Sequence, residues 1–309
     1  MKTLVLGAGG IGGYFGGRLA EAGSDVTFLV REKRREQLAK DGLVVESPGG
    51  NIRMPVKTVA AAELKPGYDI ILFTCKAYDL DSAMDAIAPA AQGDAAIVPL
   101  LNGLAHFDKL DARFGRERVM GGTAHINVTL RKDGVVVNGD ALNRIIFGER
   151  DKRETPRVKA LAAEFAKTKA DWKLSPDIEQ DLWEKIVFLS ALAAATCLFR
   201  GNVREIMAAP GGREAMLRLL AGNEQIATRE GHPPRPAVIQ SARERLTDPS
   251  GLWSASMMRD MEAGNAVEAD QIIGWMLERA RRHNLDDGVL SMAYTHLKTY
   301  EARRAANRL

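Results

Sequence analysis

Hydrophobic and polar positions follow two rhythms along the first 170 residues. Short runs rich in Val, Ile and Leu at 3–6, 25–30, 43–46, 69–74 and 95–100 predict strands. Helical spacing at 12–22, 33–41 and 155–169 predicts helices; Gly23 stops the first and Pro156 sits near the start of the last. The runs at 69–74 and 95–100 show no polar alternation, as expected of parallel strands covered on both faces. Further strands are expected at 119–130, 135–138 and 144–147, around turns at Asp133-Gly134 and Gly139-Asp140. This alternation predicts an open α/β sheet. Around 171–177 the character changes. Segments 178–199, 211–230, 236–245, 255–262, 267–283 and 288–307 all carry helical periodicity. The chain therefore reads as α/β, with an N-terminal α/β domain over 1–176 and a C-terminal all-α domain over 177–309.

Composition narrows the class. At 309 residues, 46% hydrophobic and 27% charged, the chain has ample material for packed cores, which excludes a wholly disordered or collagen-like protein. A net charge of +3 is too balanced to suggest nucleic acid, while the pI of 8.8 suits an anionic ligand. Two cysteines, Cys75 and Cys197, make no disulfide framework and point to a reducing cytoplasm. Glycines at 7, 9 and 10 interrupt the apolar start, so it does not read as a signal peptide. The apolar run at 186–199 is shorter than the ~20 residues of a membrane span and contains Ser190 and Thr196, so a buried core helix is expected, with no membrane. The five histidines show no ligand spacing, so no metal site is expected.

The first chemistry lies in Gly7-Ala8-Gly9-Gly10-Ile11-Gly12, a GxGxxG pattern between a predicted strand and a predicted helix. Gly7 permits the tight turn, Gly9 lets a pyrophosphate approach the backbone, and Gly12 lets the helix pack on the sheet. The helix N-terminus offers free N–H groups to the phosphates. This makes the first domain a Rossmann-type dinucleotide-binding domain. The second strand runs into Arg31, where an NAD-selecting fold places an acid. A guanidinium there pairs with a 2′-phosphate, and Lys33, Arg34 and Arg35 add charge, so NADP(H) is the expected cofactor. Glu32 follows directly and keeps the acidic alternative open.

Two further strands end in polar residues, where open α/β sheets bind ligands. Lys76 suits a phosphate or a substrate carboxylate. Asn102-Gly103 suits a nicotinamide, a ribose or the substrate, or is an ordinary Asn-Gly turn. In the helical half, Lys185 stands at the shoulder of the apolar helix. Partial desolvation there pulls an ammonium toward neutrality and suits it to general-acid work, although a snorkelling lysine fits the same position. Gly264 is expected to end a helix. Asn265 with Glu268 reads as an N-cap with its capping acid, and Ser256 as a helix-start serine.

Taken in order, Gly7/Gly9/Gly12, Arg31, Lys76, Asn102-Gly103, Leu182-Trp183-x-Lys185 and Ser256-Met257…Asp260…Glu268 resemble the ketopantoate reductase (2-dehydropantoate 2-reductase) family over nearly the whole chain. The resemblance implies a Rossmann-type domain, a helical domain and a site in the cleft between them. It implies NADPH-dependent reduction of 2-dehydropantoate to (R)-pantoate, for pantothenate biosynthesis. It assigns Lys185 as the proton donor, Glu268 as the acid that orients the substrate hydroxyl, and Ser256 as a carboxylate ligand. Asn102 and Lys76 line the cofactor and substrate crevice. Family members often carry asparagines one and two turns after the lysine; here these positions are Leu189 and Ala193, with Asn202 as a substitute polar group. Two rivals follow: a paralogue acting on a more apolar 2-keto acid, and a non-catalytic NADPH-binding regulator. A homodimer is a candidate assembly.

Overall fold

The computed structural model describes residues 1–309. The chain divides into two compact units, Met1–Leu101 with His106–Glu179, and Asn102–Ala105 with Gln180–Leu309. The second unit thus takes four residues from the first half of the sequence.

The first unit opens with β1 (Lys2–Leu6), α1 (Gly10–Glu21), β2 (Asp25–Leu29), α2 (Glu32–Asp41), β3 (Leu43–Glu46), β4 (Ile52–Met54) and β5 (Lys57–Val59). It continues with β6 (Ile70–Phe73), α3 (Leu80–Ile87), β7 (Ala96–Pro99), α4 (His106–Phe114), β8 (Gly121–Leu130), β9 (Val136–Gly148), α5 (Pro156–Phe165) and β10 (Asp171–Leu174). One sheet has the order β5-β2-β1-β6-β7, all parallel. Strands β1, β6 and β7 are buried almost throughout, which explains their unbroken apolar runs. The second sheet runs β10-β9-β3-β4, with β8 antiparallel to β9.

Helix α1 lies between the two sheets, and its glycines explain how. A Cβ on Gly16 would stand 2.8 Å from Phe28 and 2.9 Å from Val5 of the parallel sheet. Cβ atoms on Gly13 and Gly17 would stand 2.8 Å from Val136 and 2.9 Å from Leu43 of the other sheet. Glycines that cost helix propensity therefore thin the helix so that both sheets can close on it. Arg18 is fully buried within this layer. It donates to Gly50 O at 2.6 Å and pairs with Glu21 at 2.9 Å, fastening the turn at 47–50 to α1.

Several elements differ from the sequence expectation. Helix α1 starts at Gly10 rather than 12. The expected turn at Gly139-Asp140 does not divide a pair of strands: β9 runs through it as 13 residues, because β8 pairs along its length with one irregularity between Ile126 and Val128. Strands β4, β5 and β10 and helices α3 and α4 were not read from the pattern. The missed strands have three or four residues and little alternation, so they draw their stability from partner strands.

The second unit is helical: α6 (Ile178–Phe199, whose first two residues belong to the first unit), α7 (Val203–Ala208), α8 (Gly212–Arg229), α9 (Pro236–Leu246) and α10 (Ser256–Glu262). A π-helical turn, Asp270–Gly274, leads into α11 (Trp275–Arg282), and α12 (Gly288–Ala305) follows. Helix α6 is long and apolar enough to cross a membrane, but 72% of that stretch is buried by protein, as expected of a core helix. Its first turns are clamped by Arg235, whose guanidinium binds both Asp181 and Glu184 and whose backbone N–H donates to Glu184 at 2.8 Å. Both carboxylates are buried, so the clamp holds the turn that carries Lys185.

Candidate active site

In the first unit the GxGxxG segment joins β1 to α1. Gly7 has φ +86°, where glycine is favoured, and its N–H donates to Leu29 O at 2.8 Å. A Cβ on Gly12 would lie 2.2 Å from Gly7 O and 2.4 Å from Thr74 Oγ1, so no side chain fits. Nothing lies within 4 Å of a Cβ placed on Gly9, the N-cap of α1, and no side chain caps that helix. The space over Gly9 and the uncapped first-turn amides suit a pyrophosphate. Thr74 was missed by the sequence reading. Its hydroxyl donates to Leu6 O at 2.6 Å and braces the strand end beside Gly12.

Arg31 follows β2 and its side chain is 79% exposed. It pairs with Asp79 at 3.3 Å, on the 3₁₀ turn Ala77–Asp79 whose N-cap is Lys76. Arg31 and the Lys76 turn therefore meet beyond the carboxyl ends of the parallel strands. An exposed pair of this kind is weak, so the guanidinium is available to a phosphate at small cost. The neighbouring cations do other work. Arg34 donates to Ala8 O at 3.1 Å and Gly134 O at 2.9 Å, propping the glycine loop, and burial pulls its pKa down. Arg35 pairs with Glu63 at 3.1 Å.

In the second unit the fold brings together three of the candidate residues. The half-buried Lys185 donates from Nζ to Asn102 Oδ1 at 3.2 Å. Burial pulls its pKa from 10.5 down to about 8, and the Glu268 carboxylate opposes that shift. Glu268 is buried. The expected Asn265 cap does not form. Residues 265–268 are coil, Asn265 O accepts from Tyr300 Oη at 2.7 Å, and the helix begins after Glu268. Glu268 is therefore not consumed as a capping acid for Asn265.

Gly103 holds Asn102 in place. It has φ +82°, and a Cβ there would lie 2.4 Å from Gln271 O on the π-helical turn. Gly103→Ala should destabilise the protein by at least about 2 kcal/mol, combining left-handed strain with a backbone clash. A lowered Tm in calorimetry, together with a fall in kcat as Asn102 leaves Lys185, is the expected result.

The remaining candidates are placed less directly. Ser256 is the first residue of α10, and the preceding Ala255 N–H donates to Thr196 Oγ1 of α6 at 3.4 Å. Asn202 forms a capping box with Glu205 at the start of α7, with bonds of 2.7 and 3.0 Å. Its side-chain oxygen thus accepts from the first turn of the helix. Leu189 is half-buried and Ala193 fully buried on the helix of Lys185.

A glycine loop shaped for a pyrophosphate in one unit, and in the other a desolvated amine bonded to an amide and subject to the charge of Glu268, are features of a nicotinamide-dependent oxidoreductase. The comparisons agree. The family models described as ketopantoate reductase PanE/ApbA and its C-terminal domain match residues 3–152 and 177–301. The chain belongs to the ketopantoate reductase family, whose members are NAD(P)-dependent oxidoreductases acting on small keto acids. It is 38% identical to an uncharacterized oxidoreductase, YkpB, of Bacillus subtilis, over 98% of this chain and 100% of that one. The crystal structure of 2-dehydropantoate 2-reductase from Geobacter metallireducens is 30% identical and superposes with a TM-score of 0.85, covering 97% and 99% of the two chains. D-mandelate dehydrogenase, solved with NADH and anilino(oxo)acetate, shares the fold at 19% identity, with a TM-score of 0.87 and coverage of 99% and 100%.

Proposed function

We propose that this protein reduces 2-dehydropantoate to (R)-pantoate with NADPH, and that Lys185 is the general acid. The observation that carries this reading is the Lys185 amine, held by Asn102 at 3.2 Å, facing the charge of Glu268 and brought down to about 8 by burial. Such an amine is still mostly protonated at neutral pH, yet gives up its proton far more readily than a surface lysine. The bound cofactor supplies the hydride to C2. The chain does the rest. The first-turn amides of α1 hold the pyrophosphate, and Arg31 holds the 2′-phosphate. Lys76 lines the crevice. Asn102 orients the Lys185 ammonium, which stabilises the charge gathering on the C2 oxygen and then protonates it. Glu268 accepts the substrate hydroxyl, and Ser256 binds the carboxylate.

Leu189, which is half-buried where Ala193 is fully enclosed, favours a second reading, a more apolar 2-keto acid. A wall of this kind offers a hydroxylated substrate no hydrogen bond, and one missing partner costs about 1–3 kcal/mol. NADPH oxidation with a panel of 2-keto acids decides. The first reading expects the highest kcat/KM for 2-dehydropantoate; the second expects 3-methyl-2-oxobutanoate or phenylglyoxylate to exceed it. No turnover with any of them would refute both.

Cofactor choice has its own test. Arg31→Ala should raise KM for NADPH by about 10–100-fold, the worth of a charge-assisted phosphate contact, and leave KM for NADH within about twofold. Equal effects on both would remove Arg31 from 2′-phosphate recognition.

A further inference from the structure

Glu268 lies on a segment that one helix holds from both sides. Before it in the chain, Arg304 Nε donates to Gly264 O at 2.9 Å and Tyr300 Oη to Asn265 O at 2.7 Å. After it, Tyr294 Oη donates to Asp270 Oδ1 at 2.6 Å, and Lys298 Nζ donates to both Asp270 oxygens, at 3.2 and 3.1 Å. All four donors stand on α12, Tyr294 with Lys298 and Tyr300 with Arg304 each one turn apart. The Tyr294 ring also rests against the π-helical turn at Gly274, where a Cβ would lie 2.9 Å from its Cε2.

That turn carries two parts of the site. Glu268 immediately precedes the helix, and its carbonyl accepts from the Ile272 N–H at 3.3 Å. Gln271 O abuts Gly103, the neighbour of Asn102. A π-helical turn is rare, so contacts from outside must favour it over the α form. Gln271 Oε1 is buried without a partner and anchors nothing; Asp270 is the residue that ties the turn to α12. The Asp270 hydrogen bond, with partial burial, holds the Tyr294 pKa above the ordinary tyrosine value, so the hydroxyl stays a donor at neutral pH.

We propose that Tyr294 is a positioning residue for the reaction: through Asp270 and Gly274 it fixes the π-helical turn, and through the turn it sets where the Glu268 charge acts on Lys185 and where Gly103 seats Asn102. The proposal rests on the reading of Lys185 and Glu268 as catalytic residues. Tyr294 touches neither of them; it acts through the backbone that carries Glu268.

The test reads the Lys185 amine itself, without turnover. Trace acetylation of the full-length protein by acetic anhydride across pH, with the Lys185 peptide quantified by mass spectrometry, gives the midpoint of its titration. Tyr294→Phe keeps the ring on Gly274 and removes one of the two ties to Asp270. With Glu268 less closely held, the midpoint should fall by about 0.3–0.5 pH unit, and the alkaline limb of kcat/KM should move with it. The fall in kcat for the best 2-keto acid should be about 3–10-fold, with KM for NADPH within about twofold. Tyr294→Ala, which also empties the space beside Gly274, should lower kcat by about 30–100-fold. A purely structural role would lower the Tm and leave the midpoint in place. A midpoint unmoved or raised in the Phe variant overturns the proposal, whatever kcat does, and that variant decides alone if the Ala variant does not fold. A midpoint lowered as expected, with no turnover of any 2-keto acid by the unsubstituted protein, would support the positioning role and refute the reductase reading.

Discussion

Lys185→Met is expected to cut kcat by about 10³–10⁴-fold, because it removes both the proton donor and the positive charge that meets the developing alkoxide. Steady-state NADPH oxidation measures this, and turnover retained within tenfold would end the role assigned to the amine. The same substitution should raise the Tm. Burial lowers the folded-state pKa of Lys185 to about 8 against 10.5 for the free group. Below about pH 8 the lysine is charged in both states, and only the folded state bears the cost of desolvation. Between about 8 and 10.5 the unfolded chain still binds a proton that the folded chain has released, so stability rises with pH across that window. The cost at neutral pH is up to about 3 kcal/mol, which methionine relieves. The pH-rate profile moves the other way: kcat/KM falls above about pH 8 as the acid loses its proton. Calorimetry of the two proteins at pH 7 and pH 10 separates the effects, since the gain in Tm should shrink at the higher pH.

The second large effect is expected at Glu268. Glu268→Gln keeps the shape but removes the charge that holds the Lys185 pKa up against burial. The alkaline limb of kcat/KM should therefore move to lower pH by about one unit. Loss of the charged acceptor for the substrate hydroxyl adds to this, giving a fall in kcat/KM of about 10²-fold at neutral pH. A limb that stays near pH 8 in the variant would show that the two groups are not electrostatically coupled in solution.

The glycine loop was legible because its signals are local. Gly7, Gly9 and Gly12 stand at fixed spacing between an apolar run and a helical pattern, and each does in the structure what a residue without a Cβ allows. Helix α6 was legible for a similar reason: 22 residues of mostly apolar sequence have few ways to avoid water other than burial. The short strands β4 and β5 were not, because three residues carry too little periodicity to show which partner they will find. Asn265 was misread because the Asn-x-x-Glu spacing of a cap also occurs where the helix starts later and Tyr300 takes the Asn265 carbonyl. Arg34 was read as charge for a phosphate, yet its Nε and Nη1 donate to the backbone of the glycine loop and of Gly134.

By itself the sequence determined the rhythm of strands and helices, the dinucleotide loop and the long apolar helix, since all three are set by residues within a few positions of one another. Only the tertiary structure decided that Asn102, 83 residues before Lys185, reaches its amine and that the charge of Glu268 acts on it. The physical reason is that desolvation and Coulomb interaction depend on distance through space, and for residues this far apart in the chain that distance is fixed by packing alone.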